Sequence, residues 1–518
     1  MTSFVKTLRT FCKPKGTPFF GFKKEVYSMS SVVSNSDIPN NCHKSNTYDV
    51  KLTDCNGPEV LSLKEVKRGR LHMYFHQISR KYGSITKFKL LRKNIYVLNS
   101  FDSVEKLLRV NEHANGRSSP FFQNYVLLNK GFSFSDFTKI GEKQKGILKS
   151  WLHYEIIHST SIVLDEINSF NSSLLNQNGN LNTDLFIRQF LSNVFSKQLI
   201  GETVPADDPD SQLLWELIDH LYTLLEPSID APLRLLPFLR FLPGKYGNIF
   251  RETIKARDGV ARRYFDTQKS TYQEGRVRGL VDVCLKLQHE EMQTKGESWL
   301  TDDYIKGLMY DTVAAGMSEM MKSVRMLILL MCHHQNVQSR VHTEIDDVIG
   351  TSSIPCSSHR NQMPYTEAVI MEMLRYVSQT PLAIPHKSNK DVVLDGHLIE
   401  KDSGIFPNIW GIHHDEAVWG DPWVFRPERF LTEDGQLLPA DHQLRRTLIP
   451  FSVGKRRCPG EDFAMSRLFL LLTSMLQRIE FTPPVEEELP SADPRLYTNK
   501  YPLQLPVFTC RAVPRETI

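Results

Sequence analysis

From Thr301 to His333 the chain keeps an unbroken helical pattern and is apolar on most faces. About 33 residues rising 1.5 Å each span about 50 Å, the width of a large domain. A helix that is apolar nearly all round is buried rather than laid on a surface. Thr301 is placed to cap it, and Asp302 and Asp303 suit the positive end of its dipole. The spacing therefore predicts a large, mainly helical domain built around one central helix.

The rest of the 518 residues fit that frame. Residues 1–58 are polar, rich in Asn and Ser and without periodicity, and read as leader and linker; 59–518 read as one domain. Leu63 to Tyr82 is expected as a helix ending near Gly83, Ser84–Lys89 and Asn94–Val97 as a strand pair, and Ser103–Val110 as a short helix. Helical pattern dominates from Leu148 to Leu330, with breaks expected at Pro205, Pro209, Pro232 and Pro243. Further helices end near Gly350 and begin at Pro364, a hairpin turns at Asp395-Gly396, and Tyr501–Cys510 reads as a strand. The fold class is mainly α with small β-sheets at the side.

Composition excludes several functions. A net charge of +4 from 63 basic and 59 acidic residues gives no overall field for a nucleic acid. Eight cysteines are scattered without a CxxC pair, which suggests free thiols in a reducing interior. No stretch reaches the roughly 18 apolar residues of a spanning helix. From Met1 to Lys24 there are Lys6, Arg9, Lys13, Lys15, Lys23 and Lys24 and no acid, a composition that suits a mitochondrial transit peptide.

The chemically informative segment is Phe451-Ser-Val-Gly-Lys-Arg-Arg-Cys-Pro-Gly460, followed by an apolar helical run. With Pro459 in the first helical position, Cys458 would sit at a helix N-terminus, where free amides and the dipole stabilise a thiolate. Gly454 and Gly460 allow positive φ or close approach to a flat ligand. Arg456 is placed to meet an anionic group beside that ligand. A buried structural cysteine in a tight turn is the bland alternative.

Phe451, Gly454, Arg456, Cys458 and Gly460 together resemble the haem-binding signature of the cytochromes P450, the haem-thiolate monooxygenases. The resemblance implies a single-domain fold with haem b between the central helix and the cysteine loop, and Cys458 as the iron ligand. Glu372, Arg375 and the arginine of Phe425-Arg-Pro-Glu-Arg-Phe430, Arg429, resemble the family's buried charge triad, a structural brace. Leu382-Ala-Ile-Pro-His386 resembles the segment that offers a histidine to a haem propionate. Asn408-Ile-Trp-Gly-Ile-His-His-Asp415 and Trp419-Gly-Asp-Pro422 look most like the animal microsomal-type branch.

Two places depart from the pattern. Ala315 and Gly316 match the oxygen-binding kink, but the following acid and threonine are replaced by Ser318 and Glu319, with hydroxyl and carboxylate exchanged. Near Gly141–Trp151, Gln144 and Leu148 stand where the family usually has a propionate-binding tryptophan and arginine; Trp151 is out of register and Lys149 is the nearest cation.

The resemblance implies a monooxygenase that takes electrons from a flavoprotein reductase or ferredoxin-type donor and inserts one oxygen atom from O2 into a steroid, fatty acid or similar lipophilic substrate. Lys455, Arg457, Arg445 and Arg446 are candidates for a cationic docking face. One alternative is an O2-independent isomerase or dehydratase of lipid peroxides, and another is a non-catalytic haem-binding protein. No nucleic-acid partner is expected. The expected place is intracellular and in peripheral contact with a membrane, mitochondrial by the leader or endoplasmic reticulum by the branch.

Overall fold

The central helix forms as its pattern predicts, unbroken from Asp302 to His333. In the computed structural model, which describes residues 68–90, 93–175, 180–205, 207–499 and 502–515, it is surrounded by other helices. In chain order they include α1 (Leu71–Tyr82), α2 (Lys139–His158), α3 (Thr183–Ile200), α4 (Leu213–Leu225), the central helix α5 (Asp302–His333), α6 (Gln335–Val348), α7 (Pro364–Val377) and α8 (Glu461–Leu476). Helices α3, α4, α7 and α8 all pack on α5. Its residues from Met317 to Cys332 are almost all buried, as an apolar perimeter requires. Thr301 stands at the N-cap position, although its hydroxyl makes no capping bond.

The strands are short. β1 (Ile85–Leu90) and β2 (Lys93–Leu98) pair antiparallel from Ile85↔Leu98 to Leu90↔Lys93. They join β3 (Gly116–Arg117), β5 (His386–Lys387) and β8 (Gly404–Pro407) in a sheet of order β1-β2-β8-β5-β3. β4 (Asn180–Asn182), β12 (Thr509–Pro514) and β9 (Ile479–Thr482) form a second sheet in that order. β6 (Val392–Leu394) and β7 (His397–Ile399) make the hairpin expected at Asp395-Gly396, and β10 (Thr498–Asn499) pairs with β11 (Leu503–Gln504). One apolar cluster ties the first sheet to the segment entering the cysteine loop: Tyr96, Leu98 and Ile405 pack with Leu107, Leu108, Ile449 and Val453.

Several expectations are corrected. Arg68 and Gly69 form a turn, so the first described helix begins at Leu71; residues 63–67 lie outside the described residues, as does the leader. Pro232 does not break its helix but lies inside Pro227–Leu235, where a short helix loses one backbone bond to it. The terminal strand is two strands, because Pro506 lies between Leu503–Gln504 and Thr509–Pro514 and has no N–H for a ladder. The segment after Ser100 is helical from Phe101 to Glu105 and widens to a π-helix over Lys106–Val110.

Candidate functional site

The cysteine loop is built by its own backbone. Cys458 N–H donates to Phe451 O at 3.0 Å and Arg457 N–H to Gly454 O at 3.1 Å, closing the turn. Gly454 sits at φ 75°, and a Cβ there would lie 2.1 Å from Leu108 O. Both the conformation and the space require glycine. Gly460 is different: its φ is −95° and a Cβ would meet only ordinary contacts at 3.6 and 3.8 Å. The following helix begins at Glu461 with Gly460 as N-cap. Pro459 is thus outside α8 rather than in its first position, and Cys458 lies just before the helix end.

The Cys458 thiol opens into an interior cavity that Ala315, Gly316 and Glu319 of α5 also line. Opening inward makes the sulfur accessible although it is deep in the fold. Burial pushes this thiol up to about 11, opposed by the Gly460 amide and the Lys145 ammonium. A bound metal cation would displace the proton and hold the thiolate. Most of the remaining lining is apolar and aromatic, including Phe122, Phe132, Phe195 and Leu221.

One edge of the cavity is cationic. Arg117 and His386 face each other in register across β3 and β5. The Arg117 guanidinium donates to Ile384 O at 2.7 Å and to Pro385 O at 3.1 Å. Arg456 donates to three carbonyls, Asn115 O at 2.9 Å, Phe132 O at 3.1 Å and Ser135 O at 2.7 Å. Burial holds Arg456 down at about 10. His386 meets Ala114 O through Nδ1 at 2.9 Å, and burial together with Arg117 and Arg456 keeps its ring neutral. The Arg456 guanidinium, whose bonds go to carbonyl oxygens, favours an anionic group at this edge.

Lys149 is not part of this edge. It is exposed, whereas Lys145 lines the cavity and donates to Lys455 O and Arg457 O, each at 2.7 Å. Gly141, Lys145, Leu148 and Leu152 line the cavity from one face of α2, and the Lys149 side chain turns from it to solvent. Gln144 is buried beside it and donates to Lys130 O and Tyr304 O, while Trp151 stacks on Tyr154. Sequence reading missed Lys145, which the same periodicity would have found, and Arg117, for which the local sequence gave no signal.

On α5 the exchanged pair is resolved in space. Glu319 reaches the cavity, and Ser318 is buried away from it. Glu319 Oε2 accepts from Thr380 Oγ1 at 3.1 Å, and Oε1 from Lys322 Nζ at 2.9 Å. The helix is regular across Ala315–Glu319, and Phe195 occupies the space that a Cβ on Gly316 would need, at 2.7 Å. Gly316 thereby lets α3 pack closely on α5 beside the cavity.

Glu372, Arg375 and Arg429 meet in the buried interior. Both Glu372 oxygens accept from Arg375 at 2.7 Å, and Oε1 also from Arg429 Nε at 3.1 Å and Arg426 N–H at 3.0 Å. Trp419 and Phe430 pack with Ala368 and Met371 around this group. On the outer face, Arg457 pairs with Glu461 and Arg446 with Glu105, while Arg445 donates to Leu438 O. The basic run is therefore partly neutralised by its own neighbours.

The apolar walls, the inward thiol and the cationic edge together fit a flat metal-bearing ring with acidic side groups. The family model described as cytochrome P450 matches residues 53–507. Curated relatives include cytochrome P450 1A1 of Felis catus, 28% identical over 80% of this chain and 82% of the relative. Cytochrome P450 2U1 of Bos taurus is 28% identical over 83% and 78%, and cytochrome P450 1A1 of Homo sapiens 27% over 80% and 83%. The mitochondrial expectation finds no support among them, and no helix of the described residues is long and apolar enough to cross a membrane.

Proposed function

Because the chain belongs to the cytochrome P450 family, in its animal microsomal-type branch, and is a haem b monooxygenase, we propose that it inserts one oxygen atom from O2 into a steroid, fatty acid or similar lipophilic substrate. The observation that carries this reading is the Cys458 thiol opening into a mostly apolar cavity that Glu319 also lines. Cys458 would ligate the iron, and Arg456, Arg117 and His386 would face the propionates. Bound haem supplies the oxygen-activating chemistry, with thiolate ligation favouring O–O cleavage.

The protein's own part is to bind, orient and exchange protons. The phenylalanines and leucines of the walls hold an apolar substrate and exclude water. Glu319 takes a proton at its carboxylate and releases it into the cavity. Ser318 has no access to that space, so the hydroxyl of the exchanged pair takes no direct part. Residues 59–518 form the catalytic domain and 1–58 its leader.

The electron donor is a flavoprotein reductase meeting the face that carries Lys455, Arg457, Arg445 and Arg446. Peripheral contact with the endoplasmic reticulum is made by the segment from the end of helix Pro227–Leu235 to Phe241, where Leu235 and Phe241 are each 68% exposed and Phe238 55%. Arg234 and Arg240 flank these side chains, a composition suited to an anionic lipid surface.

Replacing Cys458 with Ala should abolish the carbonyl absorbance of thiolate-ligated ferrous haem; an unchanged spectrum refutes the ligand assignment. A peroxide isomerase needs no proton-exchanging group, and the placement of Glu319 in the cavity weighs against that reading. Turnover of a lipid hydroperoxide without reductant would reinstate it.

A further inference from the structure

A buried lysine stands behind Glu319. Lys322 lies one turn further along α5, with its side chain 8% exposed against 30% for Glu319. Its ammonium donates to Ser318 Oγ at 2.8 Å and to Glu319 Oε1 at 2.9 Å, and lies 4.8 Å from the centre of the Tyr222 ring. Two hydrogen bonds and an aromatic face thus surround a group with three protons to place. Arg325, the next basic side chain along α5, is paired with Asp184 instead. Asp219 of α4 contributes a weaker attraction to the Lys322 ammonium.

Burying an ammonium costs several kcal/mol unless it is paired and hydrogen-bonded. Burial does weaken the hold of Lys322 on its proton, and Glu319 opposes that loss. A leucine or methionine would fill the same volume without the desolvation cost, so the charge needs a reason other than packing. Its partners supply one. The ammonium fixes one carboxylate oxygen of Glu319, Thr380 fixes the other, and the buried Ser318 hydroxyl accepts from the same ammonium.

We propose that Lys322 is the positioning residue of this wall: it balances the charge of Glu319, holds that carboxylate facing the cavity, and keeps the Ser318 hydroxyl out of it. Lys322 does not touch substrate or cofactor, and its own proton stays in place. A second consequence concerns ligands. With Lys322 present the wall is electrically balanced and suits uncharged lipophiles; without it the cavity holds an uncompensated carboxylate. The catalytic consequence rests on the monooxygenase reading, whereas the charge balance does not.

The test compares Lys322→Met, which keeps the shape, with Lys322→Arg, which keeps the charge, in the haem-loaded protein. The probes are decyltrimethylammonium, which cannot ligate iron, and decanol of equal chain length, with binding read calorimetrically. Lys322→Met should raise affinity for the cation about tenfold while leaving decanol unchanged, since one uncompensated charge a few ångströms away is worth at least that much. Lys322→Arg and the double variant Glu319→Gln/Lys322→Met should not show the gain. If Lys322→Met fails to accumulate, Lys322→Gln carries the same comparison.

Equal discrimination between the two probes in wild type and Lys322→Met would overturn the proposal. With reductase and O2, product formed per reductant consumed should fall about tenfold in Lys322→Met and recover in Lys322→Arg; equal losses in both would also overturn it. Should wild type show no reductant-dependent turnover, the monooxygenase reading fails while the probe comparison still decides the charge claim.

Discussion

The backbone amide of Ile449 donates to His413 Nε2 at 2.9 Å. Since Nε2 accepts, the ring proton is on Nδ1, which meets the Ser378 hydroxyl at 2.8 Å. Burial and Arg375 push this histidine down to about 3, so it stays neutral. Arg375 in turn donates to His413 O at 2.9 Å. One histidine therefore connects the buried charge triad to the segment that leads into the cysteine loop.

Replacing His413 with Phe should leave the buried Ile449 amide without an acceptor, at a cost of about 1–3 kcal/mol. The expected outcome is a lowered thermal midpoint together with faster haem loss. An unchanged rate of haem release would show that the loop does not depend on this bond.

Glu372→Ala leaves the Arg375 and Arg429 guanidiniums buried without their shared carboxylate. Breaking such a group by one partner typically costs about 3–5 kcal/mol. Denaturant titration should show the loss, and a cost below about 1 kcal/mol would mean the arginines find other acceptors.

The two loop glycines should behave differently. Gly454→Ala meets a left-handed φ and a backbone oxygen 2.1 Å from the new Cβ. Backbone strain of this kind costs of order 1–3 kcal/mol before the clash is added. Gly460→Ala meets neither, so its thermal midpoint should stay near wild type; equal losses in both variants would contradict the geometry.

Asp311 gives a pH dependence. Burial raises it to about 6, partly offset by bonds from the Phe132 and Ser133 amides at 2.7 and 3.0 Å. A carboxyl raised on folding contributes stability that is fully present below its unfolded value and is lost as pH rises through its folded one. Between pH 5 and 7 wild type should therefore lose about 1 kcal/mol relative to Asp311→Asn. Parallel pH curves for the two proteins would refute this.

Much of the architecture was legible because it rests on periodicity: α5, α7 and the Asp395-Gly396 hairpin follow from apolar spacing and turn residues. The cysteine loop was legible for the same local reason. What escaped depends on which way side chains turn. Lys149 and Lys145 are four residues apart and differ in facing solvent or cavity, and Ser318 and Glu319 are adjacent and point to different spaces. Arg117 gains its place from strand pairing with His386, and His413 from a bond to Ile449. Neither partner is near in sequence.

The Arg456 guanidinium binds Asn115 O across 341 residues. At about 5–20 residues per second, ribosomal synthesis separates the two by roughly 20–70 s. Until the later one emerges, the carbonyls of Asn115, Phe132 and Ser135 lack their arginine. The early part of the polypeptide therefore goes without these three bonds until residue 456 has emerged. With Cys458 as the proposed iron ligand, cofactor capture is a late event in biogenesis, out of reach of nascent chains halted short of that residue.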